Sequence, residues 1–305
     1  MSDQPGGEGL SLYDAARAMG VTVAEETAPE DRVVEANGLS FHYLDWGSLD
    51  SPPVLLLHGF AQTCHSWDFV SLSLSDRFRV IALDQRGHGD TQWAADGDYS
   101  ADAYQSDIHA VVEALGLTDL VLIGLSMGGR NAFTYAATHP EKARALVIVD
   151  SAPETRSAGT SNITRFVQQD DELDSIDDFV ERVRKYNTRR PVEQIRGSIR
   201  HNVKQLPSGK WTWKYDRRLR TGRRSALPGA DLVAQLWEHI ESLQCPTLVV
   251  RGGQSDVVAQ DTAAEMVRRM PDGRLATVDG AGHLVMGDNP AGFERAVRTF
   301  LAELV

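Results

Sequence analysis

Short, continuous apolar runs separated by helix-length segments constrain this chain more than any other feature. PVLLLHG (53–59), FRVIALD (78–84), DLVLIGLS (119–126) and ARALVIVD (143–150) do not alternate with polar residues, which is the pattern of strands buried on both faces. Between them lie segments of helical length at 66–75, 101–115 and 128–138, the second ended by Gly116 and the third by His139-Pro140. After an interruption the pattern resumes: PTLVVRGG (246–253), a helix over about 260–270 stopped by Pro271, GRLATVDG (273–280), and a helix opened by Asn289-Pro290. Ahead of it all, RVVEANG and LSFHYLDWG predict an antiparallel edge hairpin turning at Asn37-Gly38, a pair suited to positive φ at both positions. Such alternation builds an α/β fold: a doubly wound, mostly parallel eight-stranded sheet with helices on both faces.

The interruption divides the chain. Residues 31–153 and 236–305 carry the α/β pattern and form the expected core. Residues 154–235 hold an acidic stretch (QQDDELDSIDD), an arginine-rich stretch and the aromatics Trp211, Trp213 and Tyr215, with no buried-strand run. They predict a helical cap inserted over the sheet, its charge runs being solvated helix faces. Residues 1–30 are small, polar and acidic, with a weak helical pattern over Leu10–Met19, and read as an N-terminal extension: a tail or a short lid helix.

Composition narrows the function classes. At 305 residues the chain is long enough for one large α/β domain with an insertion. Its 31 basic against 43 acidic residues leave a net charge of −12, which repels phosphate backbones and anionic lipid, so neither nucleic acid nor a membrane is an expected partner. Cys64 and Cys245 stand far apart, without the spacing of a zinc site or a disulfide framework. The opening MSDQPGGEGL has no basic or apolar leader region, and no run reaches membrane-spanning length, which makes the cytoplasm the expected location. A homodimer is left open.

The chemistry concentrates in loops. Gly124-Leu125-Ser126-Met127-Gly128-Gly129 falls directly between a strand and a helix. A serine at the tip of so sharp a turn needs strained backbone angles and neighbours without Cβ atoms, and it exposes its hydroxyl at a helix N-terminus, where N–H groups stabilise negative charge. A hydroxyl nucleophile needs a base, and the base needs an orienting acid. Of nine histidines, His283 in DGAGHLV is the one on a glycine-rich loop after the last strand. Two aspartates close strands in the right chain order: Asp256 in RGGQSDVV is the expected acid, and Asp150, ending LVIVD, is the alternative. The oxyanion of a tetrahedral intermediate wants two amide donors, expected from Met127 and from Phe60 after His58-Gly59. Phe60, Trp93, Leu125, Met127 and Leu284 are the expected pocket residues.

Residues 31–305 resemble the α/β-hydrolase fold family. His58-Gly59-Phe60, Asp84-x-Arg86-Gly87-His88-Gly89, the Ser126 turn, Asp256 and Gly282-His283 occur in that family's order and spacing. The resemblance implies a hydrolase working through an acyl-enzyme on a small-molecule ester, with no metal or organic cofactor, and it makes Arg86, His88 and His58 loop-holding residues, not catalytic ones. Family members that open epoxides or displace halide carry aspartate at the turn, so Ser126 argues for the branch of esterases and lactonases. Ring-cleavage carbon–carbon hydrolases usually have Asn where Leu125 stands, and remain an alternative. The rival class is a ligand-binding member of the same fold without catalysis.

Overall fold

A computed structural model describes residues 10–220 and 229–304. Residues 1–9 of the expected extension and 221–228 of the expected cap lie outside them. In chain order the main sheet takes β1 (Glu30–Ala36), β2 (Leu39–Trp46), β3 (Pro53–Leu57), β4 (Arg79–Leu83), β5 (Leu120–Leu125) and β6 (Ala143–Val149). Next, β7 (Val203–Gln205) and β8 (Trp211–Trp213) form a separate two-stranded sheet, after which β9 (Thr247–Gly252) and β10 (Gly273–Val278) return to the main sheet. The eight strands run in the order β1-β2-β4-β3-β5-β6-β9-β10, with β1–β2 and β2–β4 antiparallel and every other pairing parallel. The β1–β2 hairpin turns at Asn37 (φ 45°) and Gly38 (φ 72°), as its sequence requires.

The strands separate two apolar layers because successive side chains point to opposite faces. In β3, Leu55 and Leu57 pack with helices α3 (Ala101–Ala114) and α4 (Met127–Thr138), whereas Val54 and Leu56 join Trp46 and Trp67 on the other face. The second face is covered by α2 (Asp68–Leu74) and, at the end of the chain, by Phe293, Val297 and Phe300. Helix α1 (Leu12–Ala18), capped by the Ser11 hydroxyl, buries Ala16 in that same layer.

Between β6 and β9 the chain forms α5 (Ser157–Val167), α6 (Ile176–Tyr186), α7 (Val192–Asn202), the β7–β8 ribbon and α8 (Ala230–Glu241). The insertion is therefore not purely helical, since Trp211 and Trp213 lie on a ribbon strand that also bridges Leu173. Each ribbon strand is three residues long, too short to show a buried apolar run. Its own core joins Phe179, Val180, Ile195, Ile199, Trp213 and Tyr215 to Tyr104 and Met127 below. The boundary expected at 235 falls inside α8, whose Leu236 and Ile240 belong to the layer under α4. The remaining helices are α9 (Gln260–Arg269), α10 (Val285–Asp288) and α11 (Pro290–Ala302). Among the described residues no helix is long and apolar enough to cross a membrane.

Candidate active site

Ser126 sits between β5 and α4 with φ 52° and ψ −111°, a conformation L residues adopt only when their surroundings enforce it. The enforcement is visible. Its N–H donates to Val149 O (3.0 Å), and its carbonyl accepts from the Ser151 hydroxyl (2.7 Å) and from Arg130 N–H (3.0 Å). A Cβ on Gly124 would lie 2.2 Å from Gly128 O, and one on Gly128 would lie 2.1 Å from Leu57 O, so both flanking glycines are demanded by close backbone packing.

His283 follows β10 on the loop that opens α10, its side chain only 9% exposed. Its Nδ1 lies 2.7 Å from Oδ2 of Asp150, which makes Nδ1 the protonated nitrogen and leaves Nε2 the basic one. Asp150 directly follows β6 with φ 41° and is 1% exposed. The same Oδ2 also accepts from the Ser255 hydroxyl (2.6 Å), and Oδ1 accepts from Gly252 N–H (3.2 Å). The carboxylate is thus fixed from three directions.

Asp256, the acid expected from sequence, does not meet His283 in this geometry. It is exposed, and its carboxylate accepts from Asn162 Nδ2 on α5 (3.0 Å). In the turn after β9 it is Ser255 that faces inward, its hydroxyl donating to Asp150 and accepting from the amides of Val257 and Val258 (3.1 Å each). Successive residues of the turn face opposite ways, so the aspartate one position later points out. The alternative acid, Asp150, holds the imidazole.

Two histidines hold the Gly59-Phe60-Ala61 loop. His58 Nε2 accepts from Gln85 N–H (3.0 Å), so its Nδ1 donates to Gly59 O (2.7 Å). His88 Nδ1 donates to Arg86 O (2.9 Å) while its Nε2 accepts from Ala61 N–H (3.2 Å). Gln62 Oε1 accepts from Gly59 N–H (2.9 Å), and Ala61 takes φ 59°. Arg86 forks onto Asp107 through Nε (2.5 Å) and Nη2 (2.7 Å), and Asp84 accepts from the amides of Cys64 (2.7 Å) and Asp90 (2.9 Å). The DQRGHG loop is a brace beneath the site.

Ser126, His283, Phe60, Leu125 and Leu284 line one cavity of about 1090 Å³ between the sheet edge, α1 and α7, roofed by Phe166 and Trp213. A second, more polar chamber of about 990 Å³ reaches His283 and Leu284 from the α5–α6 side, with Asp256 on its wall. Met127 instead packs into the insertion's core, and Trp93 lies outside the cavity, under the Lys204 ammonium 4.2 Å from its ring centre. An aromatic near the site in sequence has served a seam between loop and ribbon. Arg190, His65 and His201 line the cavity without having been singled out, because their sequence surroundings carry no motif.

Among the described residues, two clusters have the side chains of a metal site, His42/Cys64/Asp84 and His65/Asp68/His201. In the first, burial opposes the charge on His42, but hydrogen bonds to Asp84 and Asp31 raise it to about 9. Burial likewise opposes ionisation of Asp84, which the His42 contact and two amides nonetheless hold at about 2. These partners satisfy one another, and burial pushes the Cys64 thiol up, away from the thiolate a metal would take. In the second, His65 Nδ1 contacts Asp68 (3.0 Å) and its ring stacks on His201 at 3.7 Å; burial and then the His65 charge lower His201 to about 4.

A family profile described as alpha/beta hydrolase fold matches residues 52–290. Esterase Rv0045c from Mycobacterium tuberculosis is 30% identical over 280 residues, covering 90% of this chain and 89% of the relative. A putative 2-succinyl-6-hydroxy-2,4-cyclohexadiene-1-carboxylate synthase from Bacillus subtilis is 28% identical over 283 residues, covering 89% and 98%. Among solved structures, E-2-(acetamidomethylene)succinate hydrolase superposes with a TM-score of 0.80 at 25% identity, covering 90% of this chain and 99% of that one.

Proposed function

The chain belongs to the α/β-hydrolase fold family and is a hydrolase of that fold, and from this premise we propose that it cleaves carboxylic esters through an acyl-enzyme on Ser126, with His283 as base and Asp150 as the orienting acid. The observation that carries the reading is the part-buried Asp150–His283 hydrogen bond, with His283 and a strained Ser126 lining the same cavity. Nε2 of His283 takes the Ser126 proton as Oγ attacks the carbonyl carbon. The amides of Met127 and Phe60 receive the oxyanion, the first at the N-terminus of α4 and the second on the braced loop. The imidazolium, stabilised by Asp150, protonates the departing alcohol. Water then gives a proton to His283 as it attacks the acyl carbon, and on collapse His283 returns that proton to the departing Ser126 Oγ, releasing the acid and restoring the serine. This mechanism takes no cofactor. The organisation supports three units: the core, an N-terminal segment with α1 at the cavity wall, and a cap from residue 154 toward α8.

The test is turnover of 4-nitrophenyl acetate and butyrate, with Ser126→Ala as control and fluorophosphonate labelling of Ser126. Turnover lost in the variant supports the reading; a folded wild-type protein that neither labels nor turns over any short ester removes it and favours a ligand-binding role. Lactone or carbon–carbon bond hydrolysis by the same serine is the second reading, favoured by relatives whose names denote different reactions on one fold. A lactone and a vinylogous diketone beside the esters separate them.

A further inference from the structure

In the cavity that contains Ser126, Arg190 makes no ion pair among the described residues. Arg190 lies two residues before α7, half-buried in the cavity wall. Its Nε donates to Gln194 Oε1 (3.2 Å) and its Nη2 to the Ser198 hydroxyl (3.2 Å), both neutral. Its Nη1 enters no hydrogen bond among the described residues, and it makes no ion pair there. Arg189 next to it also donates to a neutral partner, Gln254 Oε1 (3.0 Å), whereas other arginines of the insertion form ion pairs. Arg196 pairs with Asp177, and Arg217 and Arg220 pair with Asp171. Arg200 is exposed to solvent.

The carboxylate whose field reaches Arg190, Asp288, is already used. Asp288 accepts from Asn187 Nδ2 (2.6 Å) and from Gly282 N–H (2.8 Å), one oxygen to each. The Arg190 guanidinium instead lies against Gly287, where an added Cβ would sit 3.5 Å from its Cζ, and Gln194 Nε2 donates to Gly287 O (3.3 Å). Gly287 is four residues beyond His283, so the uncompensated fork is carried beside the histidine loop. Burial weighs against this cation, with only the field of Asp288 opposing. A guanidinium stays charged in proteins, and a charge in an apolar wall is costly until an anion meets it. One guanidinium balances one negative charge, which suits a carboxylate better than a phosphate dianion.

We infer that Arg190 recognises a carboxylate, and that the substrate hydrolysed at Ser126 carries an anionic group on the same side of the molecule as this cavity. The inference rests on Ser126 being the nucleophile. Arg190 would set specificity, leaving the chemistry to Ser126 and His283.

The probes are 4-nitrophenyl hydrogen glutarate and 4-nitrophenyl pentanoate, similar in length and differing in the terminal carboxylate. Wild-type protein should favour the glutarate in kcat/KM by at least about tenfold, the scale of one charge-assisted hydrogen bond. Arg190→Met should bring the ratio near one, Arg190→Lys should keep part of it, and Arg189→Gln, altered on the neighbouring polar chamber, should retain it. A wild-type ratio near one, a ratio unchanged in Arg190→Met, or a ratio abolished by Arg189→Gln instead would overturn the assignment. If neither ester turns over, the proposed hydrolysis has failed separately, and calorimetric binding of glutarate decides the recognition: binding lost in Arg190→Met upholds it, and absent or unaltered binding refutes it.

Discussion

His283 Nδ1 and Asp150 Oδ2 lie 2.7 Å apart although 133 residues separate them in the chain. The contact joins the end of β6 to the loop after β10, with β9 between them in the sheet. Ser255, from the turn after β9, adds its hydroxyl to the same oxygen.

Replacing the two candidate acids should separate them cleanly. Asp150→Asn keeps the shape but reverses the hydrogen-bond demand on the imidazole, and kcat should fall by about 10³–10⁴. Asp256→Asn alters an exposed contact with Asn162 and should leave kcat within about twofold. Steady-state kinetics with 4-nitrophenyl butyrate reads both, and the reverse pattern would restore Asp256.

His88→Ala removes the acceptor for Ala61 N–H and loosens the loop that presents Phe60. The loss should appear in kcat more than in KM and stay below about 10³-fold, the upper cost of one oxyanion donor. Phe60→Ala keeps the backbone amide, so it should change acyl-chain preference more than kcat for acetate.

Arg86→Met leaves Asp107 buried, with Asn37 as its remaining polar partner. Removing one member of a buried pair typically costs about 3–5 kcal/mol, so the urea midpoint should drop accordingly. An unchanged midpoint would show that the brace beneath the site is dispensable.

The His42–Asp84 contact links stability to pH. His42 is raised to about 9, so its contribution is full below about 6.5, its ordinary value, and is lost as pH climbs through about 9. Asp84 is held at about 2, so its contribution is present above its usual 3.8 and is lost as pH falls through about 2. The urea midpoint should therefore decline between pH 7 and 9.5. In His42→Gln that alkaline slope should flatten, and an equal slope in both proteins would exclude His42 as its source.

Much of the architecture was legible because apolar runs and helix lengths are local properties. The hairpin at Asn37-Gly38, the parallel strands and the serine turn all follow from residues adjacent in sequence, and Gly124 and Gly128 are needed wherever that turn exists. The β7–β8 ribbon escaped because strands of three residues bury too little to leave a pattern. Trp93 was misplaced as a pocket residue because an aromatic ring reads alike in a cavity wall and beneath a lysine.

Ser126 and His283 could be singled out by the sequence itself, since strained turns and glycine-rich loops are written in neighbouring residues. It also confined the acid to two aspartates at strand ends. The choice between them belonged to the tertiary structure, because which side chain of a turn faces inward depends on how β6, β9 and the β10 loop pack together. The same holds for Arg190: its lack of an ion pair among the described residues is a property of the space around it, and no arrangement of letters along the chain records that.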